Sequence, residues 1–273
     1  MTHKVSSSKT WWTFAITSAA LFMVTLDNLV VTTALPVIRT DLHAGLSGLE
    51  WTVNAYTLTF AVLLLTGAAL GDRFGRRRVF SIGLGIFTLA SAAAALAPTI
   101  GALDAARAVQ GLGGAIVMPL TLTILSAGVP ENRRGVFLGA WGGISGLAVA
   151  FGPLVGGAVV NGISWHWIFW LNVPIGLVLL PLALARLDET KGPFGRVDLQ
   201  GLALASAGLF GIVWASCAAT PSAGPRPRSS ARSSSARSSW PRSSCGSSAP
   251  ITRCCRCASS AAGRSRSQTS RRC

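Results

Sequence analysis

Residues 135–185 carry no Asp, Glu, Lys or Arg, an uncharged run of 51 positions. A chain folding in water has to wet its surface, and a typical globular domain carries about 25% charged residues; this chain carries 12%. About 20 apolar residues in an α-helix cross the hydrocarbon core of a bilayer, so the run is read as two spans with a turn near residues 161–166. The same criterion applies elsewhere, because a charge at a helix centre costs roughly 2.5–3.5 kcal/mol even on lenient scales. Residues 51–71, 79–103, 108–130 and 199–217 are further charge-free runs. A first span over residues 14–36 is interrupted only by Asp27. Seven spans are expected: an all-α polytopic membrane protein.

Lys4 and Lys9 precede the first apolar stretch, as they would in a cleaved leader. Asp27 and the continuation to Pro36 instead favour an uncleaved first helix. With the amino terminus inside the cell, the cytoplasmic segments hold Lys4, Lys9, Arg73, Arg76, Arg77, Arg78, Arg133, Arg134, Arg186, Lys191 and Arg196, and the outer loops hold only Arg39. Positive charge gathers on the cytoplasmic side of membrane proteins, so the amino terminus is expected there and the protein in the cell membrane. The expected organisation is a cytoplasmic segment 1–13, a six-helix bundle 14–186, a cytoplasmic loop 187–198, a seventh helix 199–217 and a tail 218–273.

Two ionisable residues fall within spans. Asp27 lies in the middle of the first, and Arg107 near the start of the fourth, one turn after Asp104. An intramembrane charge is tolerated where it faces a cavity or a partner, and a carboxyl group in a dry site holds its proton more tightly than in water. Asp27 is therefore a candidate for proton exchange, with a structural contact between helices as the plainer reading of both residues. The loop Gly71-Asp72-Arg73-Phe74-Gly75-Arg76-Arg77-Arg78 combines two glycines that permit a tight turn with four arginines. It reads as a topogenic signal, with Asp72 placed to cap the next helix or to pair with an arginine on a neighbouring bundle. In the fifth span Gly139/Gly143, Gly142/Gly146 and Gly152/Gly156 are each four apart, Gly157 follows, and Pro153 kinks the helix. Small-xxx-small spacing lets backbones approach closely, and a static packing face is the plainer reading. Trp165, Trp167 and Trp170, with Trp51 and Trp141, sit near span ends and read mostly as an aromatic belt.

Together these segments resemble the major facilitator superfamily, in particular its fourteen-helix drug:proton antiporter branch. Residues 26–36, from Leu26-Asp27-Asn28 to Leu35-Pro36, are similar to that branch's helix-1 motif, and Trp51-Thr52-Val53-Asn54-Ala55-Tyr56-Thr57-Leu58 to its helix-2 opening. Residues 70–78 resemble the superfamily loop signature, and Arg107-Ala108-Val109-Gln110-Gly111-Leu112-Gly113 the helix-4 motif. Gly152-Pro153-Leu154-Val155-Gly156-Gly157 resembles the antiporter motif, and residues 167–176 the helix-6 segment. Ala68 and Ala148 stand where the family's motifs usually have glycine. The resemblance covers about residues 12–217.

It implies that Asp27 serves substrate or proton handling and Arg107 proton coupling. It implies that Asp72, Arg73, Gly75 and Arg76 form a cytoplasmic latch, and that Gly152, Pro153, Gly156 and Gly157 let helix 5 bend and pack. The implied activity is proton-driven efflux of small hydrophobic or cationic compounds by rocking of two halves about a midplane site. A metabolite or sugar transporter of the same superfamily and a non-transporting membrane fragment are the alternatives. No cofactor, metal or enzymatic activity is implied; the proton gradient is the energy source, and no phosphate-binding Walker loop is present.

The tail differs in kind. Residues 218–273 hold 17 serines, 11 arginines, five of the six cysteines and no acid. Arg-Ser pairs could imitate an RNA-binding tail. Cys254-Cys255-Arg256-Cys257 offers one ligand pair without the second that a zinc site needs. An out-of-frame translation of a GC-rich gene fits the abruptness of the change best. By the same orientation the tail would emerge outside, away from nucleic acid, and no nucleic-acid partner is expected. Its composition predicts disorder.

Overall fold

The computed structural model describes residues 7–192, 201 and 204–211. All of these fall in one compact unit, Met1–Ser222; a second unit, Ala223–Cys273, lies outside them. The tail and the readings placed on it therefore lie outside the described residues. So does most of the seventh span, of which residues 201 and 204–211 are helical.

The described residues form helices and connecting turns, with no strand among them. In order they are α1 (Ser7–Asp41), α2 (Leu46–Phe74), α3 (Arg76–Ala95), α4 (Ile100–Gly128), a 3₁₀ turn (Glu131–Arg133), α5 (Arg134–Gly162), α6 (His166–Trp170) and α7 (Asn172–Arg186). α6 and α7 together make the sixth span, and six helices are long and apolar enough to cross a membrane. The turn expected near residues 161–166 falls between α5 and α6. α1 is longer than its charge-free run suggested: 35 residues at 1.5 Å each give about 52 Å, well beyond a hydrocarbon core of about 30 Å. The extra turns carry Lys9 at one end and Arg39 and Asp41 at the other, where charge meets headgroups and water.

A single stripe explains the packing of α1. Ile16, Ala20, Met23, Val24, Asp27, Val30, Val31, Ala34 and Ile38 recur at helical spacing and are all buried, so the carboxylate lies on the inward line of the helix. α4 does the same with Leu103, Ala106, Arg107, Gln110, Gly114, Val117 and Leu120. The interior divides into two apolar clusters. One joins Ile16, Met23, Phe80, Phe87, Leu120 and Leu179; the other joins Val31, Ile38, Ala95, Leu103, Trp165 and Phe169. In sequence, Ser91 on α3, Arg107 and Gln110 on α4 and Asn172 on α7 fall between the two sets, and Asp27 on α1 lies at the near edge of the second. The polar groups form a layer with apolar packing at either end.

α2 and α5 are the least buried spans, at 11% and 17% of their most apolar windows. α5 meets α1 through a narrow line of small buried residues, Ala148, Gly152 and Gly156, and through Phe137 against Trp11 and Phe14. The expected glycine face of α5 is thus only partly a packing face. A methyl group on Gly152 would come within 2.7 Å of the Leu29 Cβ, and one on Gly156 would collide with Thr33, whereas Gly139, Gly142, Gly143, Gly146 and Gly157 look onto open space. One tryptophan also departs from the belt reading. Trp165 is 1% exposed, donates its Nε1 hydrogen to Asp41 Oδ2 at 2.6 Å and stacks on His166, so it pins the turn between α5 and α6 to α1. Trp167, by contrast, is 53% exposed.

Candidate transport site

Asp27 and Arg107, 80 positions apart, meet in the middle layer. Arg107 Nη1 lies 2.7 Å from Asp27 Oδ2, and neither side chain is exposed. The other carboxylate oxygen, Oδ1, accepts from Gln110 Nε2 at 2.9 Å and from Asn172 Nδ2. Gln110 links the two charges, since its Oε1 accepts from Arg107 Nη1 at 2.7 Å while its amide also donates to Ser91 Oγ at 2.8 Å. Arg107 Nε reaches the Thr52 carbonyl of α2 at 3.4 Å, and the guanidinium lies 4.2 Å from the centre of the Tyr56 ring. Four spans and part of a fifth therefore converge on one ion pair.

The sequence builds this locally. Arg107 and Gln110 are three apart on α4, one turn of one face. Gly111 completes the arrangement: a Cβ there would stand 2.5 Å from the Tyr56 carbonyl oxygen. The bare backbone lets α2 approach and lays the Tyr56 ring against the guanidinium, a cation–π contact. A buried ion pair is tolerated when further hydrogen bonds satisfy its remaining lone pairs and protons. Asp27 meets that condition with three donors. Arg107 Nη2 has no hydrogen-bond partner, so the site keeps one unused donor.

One turn from Arg107, Asp104 accepts from Thr52 Oγ1 at 2.7 Å. This ties α4 to α2 beside the ion pair but is separate from it.

The four residues of the expected latch divide. Asp72 Oδ1 receives Arg76 Nε at 2.9 Å and Nη2 at 2.8 Å, a pair across the loop rather than to another bundle. Gly75 takes φ +107°, a backbone state that favours glycine, and joins α2 to α3. Arg73 stays outside this pair, its guanidinium lying 5.2 Å from the centre of the Phe74 ring. Asp72 does not cap α3 with its side chain.

Charge alone pointed to Asp27 and Arg107; it did not single out Gln110, Asn172, Ser91, Thr52 or Tyr56. Their signal was available. Gln110 is an amide one turn from a buried arginine, and Asn172 breaks an otherwise apolar stretch between Trp170 and Pro181.

Six apolar spans, five of them contributing to a sealed ion pair, define a multi-pass membrane protein whose interior carries its ionic chemistry. The chain belongs to the Major Facilitator Superfamily, whose family model matches residues 17–240. It is 43% identical over 193 residues to an uncharacterized MFS-type transporter of Mycobacterium tuberculosis, a match over 71% of this chain and 33% of that protein. It is 36% identical over 206 residues to the tetracenomycin C resistance and export protein of Streptomyces glaucescens, covering 75% of this chain and 38% of the relative. It is 43% identical over 212 residues to the cephamycin export protein of Amycolatopsis lactamdurans, covering 76% and 43%. The chain thus spans between a third and somewhat under half the length of these relatives. Among solved structures, the human organic anion transporter MFSD10 matches with a TM-score of 0.56 at 16% identity, over 74% of this chain and 54% of that one. A peptide transporter solved with sulfate matches at 0.60 and 18% identity, over 79% and 46%. These two establish likeness of fold. The family and its fold are those of transporters, which are not enzymes.

Proposed function

We propose that this chain is the amino-terminal bundle of a proton-driven exporter of small hydrophobic or cationic compounds, working by alternating access in the cell membrane with its amino terminus in the cytoplasm. The observation that carries the reading is the fully buried Asp27–Arg107 pair, held at the middle of the bundle by groups from α1, α2, α3, α4 and α7. A carboxylate that can exchange its arginine for a proton changes the charge balance of a dry interior. That change can bias one packing of the helices over another. Asp27 would be the proton-handling carboxylate and Arg107 its counter-charge, with Gln110 and Asn172 orienting the carboxylate. The unused Arg107 Nη2 hydrogen supplies a donor toward cargo or water. The names of the tetracenomycin C and cephamycin relatives support antibiotics as the cargo class.

The loop at residues 71–78 would be the cytoplasmic latch, closed here by the Asp72–Arg76 pair. Gly152 and Gly156 would set the sliding contact between α5 and α1. Flux into liposomes bearing the purified chain, with and without an imposed proton gradient, tests the reading. Gradient-driven flux of an aromatic antibiotic that disappears in Asp27→Asn and Arg107→Ala, with membrane insertion unchanged, is the expected result. Flux indifferent to the gradient would favour a metabolite facilitator, and no flux at all would leave this chain a non-transporting bundle.

A further inference from the structure

The six residues that follow α7 fold back over the loop between α2 and α3, and four of them, Leu187, Glu189, Thr190 and Gly192, bond to it. Asp188 pairs with Lys9 of α1 at 3.2 Å. The Thr190 carbonyl accepts from the Arg76 backbone N–H at 2.9 Å, and the Gly192 N–H donates to the Asp72 carbonyl at 3.0 Å. Glu189 sits at the centre. Its Oε1 accepts from the Arg77 backbone N–H at 3.0 Å, and its Oε2 lies 3.6 Å from Arg77 Nε and 3.7 Å from Arg78 Nε.

Two of these contacts solve an end problem. The first N–H groups of a helix have no partner within it, and the residue before α3 is Gly75, which has no side chain with which to cap. Glu189 and Thr190 supply acceptors from another part of the chain, and an acid also suits the positive end of a helix dipole. In return, Arg77 Nη1 donates to the Leu187 carbonyl at 3.3 Å and the Leu184 carbonyl at 3.5 Å, which satisfies the carboxyl end of α7. The end of α7 is capped by a residue of α3, and the start of α3 by the strap that follows α7.

The glycines fit this arrangement reciprocally. A Cβ on Gly75 would stand 2.6 Å from Glu189 Oε1, and one on Gly192 would stand 2.6 Å from the Asp72 Cβ. Gly75 therefore does more than turn the chain: it leaves the space that the Glu189 carboxylate fills. The loop makes room for an acid of the strap, and the strap makes room for an acid of the loop.

We infer that Glu189 is a positioning residue for the latch loop: its carboxylate oxygen caps α3 and, with residues 188–192, clasps the loop at residues 71–78 to the end of α7. The clasp is a matter of contacts; that it sets a latch rests on the function proposed above. Because the strap runs on directly from the sixth span, displacement of that span's end pulls on the loop through Glu189 and Thr190. The loop cannot rearrange without first giving up the α3 cap.

Backbone amide exchange on the whole chain in lipid nanodiscs tests this without reading transport, so the clasp and the transporter reading can fail separately. Glu189→Ala removes the cap, and loss of a cap of this kind raises local opening about 2- to 30-fold; exchange at Arg76 and Arg77, whose N–H groups the strap accepts, should rise by that factor. Glu189→Gln keeps an oxygen at the same place and should hold exchange within about twofold of the parent. Amides of α4 over residues 112–120 should be unmoved in both. Unchanged exchange at Arg77 in Glu189→Ala overturns the proposal. So does an equal rise in α4, which would mean loss of the whole fold, or a glutamine variant that opens as far as the alanine one.

Discussion

Asp27 accepts hydrogen bonds from Arg107, Gln110 and Asn172, and that arrangement decides what a substitution in the middle layer does. Arg107→Ala leaves a buried carboxylate without its counter-charge, and breaking such a pair costs roughly 3–5 kcal/mol. Asp27→Asn strands the guanidinium at a similar cost. The double variant strands neither charge, so its loss should fall short of the sum of the singles by more than about 1 kcal/mol. Thermal unfolding in mild detergent reads all four corners, and strictly additive losses would mean that the two charges do not support one another. Asn172→Leu removes a neutral donor while the ion pair persists, and a loss of about 1–3 kcal/mol is expected by the same measurement. The difference explains what could be read in advance. A charge inside an apolar run is costly enough to stand out in a bare sequence, so Asp27 and Arg107 were legible. Gln110, Asn172 and Ser91 were not, because a neutral polar residue in a span is unremarkable until its neighbours are known. The ion pair spans 80 positions and the Asn172 contact 145, separations that no local pattern encodes.

α5 makes the same point for elements. Its glycines share one spacing rule, but only Gly152 and Gly156 pack against α1; which of them face a neighbour depends on where α1 lies. The contacts separate them cleanly. Gly156 has no room for a side-chain carbon beside Thr33, while Gly143 faces open space. Gly156→Ala should therefore push α5 from α1 at a cost of about 1–3 kcal/mol. Gly143→Ala should be neutral, or stabilising by up to about 1 kcal/mol, because alanine is the better helix former. Paired unfolding midpoints of the two variants decide this, and equal shifts would show that the α1–α5 contact is not the one described. Helix ends followed similar logic. The spans themselves were legible from uncharged runs, because the bilayer penalty acts residue by residue. The charged extensions of α1 were not, since they lie where that penalty vanishes. The strap at residues 187–192 belongs to neither class. Its sequence predicts a cytoplasmic loop, and its capping of α3 emerges only once the ends of α3 and α7 stand side by side.

At the scale of the whole molecule, orientation is the property on which the rest depends. The described basic residues at one end of the bundle, Lys9, Arg73, Arg76, Arg77, Arg78, Arg133, Arg134, Arg186 and Lys191, all lie at helix ends or in loops on the side where α2 meets α3, α4 meets α5 and α7 terminates. The opposite end, where α1 meets α2, α3 meets α4 and α5 meets α6, holds Arg39. That asymmetry is a positive-inside pattern, and in the orientation proposed above the clasp, the Asp72–Arg76 pair and the Lys9–Asp188 pair would face the cytoplasm. In intact cells, with the native cysteines replaced by serine, single cysteines at Lys9 and Arg78 should resist a membrane-impermeant maleimide until the cells are opened. Cysteines at Leu46 and Ile163, both exposed at the other end, should react at once. Labelling in the reverse order would invert the molecule. A bundle facing the other way would present its latch to the outside and its Trp165–Asp41 contact to the cytoplasm, and the proposed direction of proton-driven export would lose its footing. The ion pair itself lies midway and is indifferent to orientation, so this experiment tests the direction of transport without testing the chemistry at Asp27.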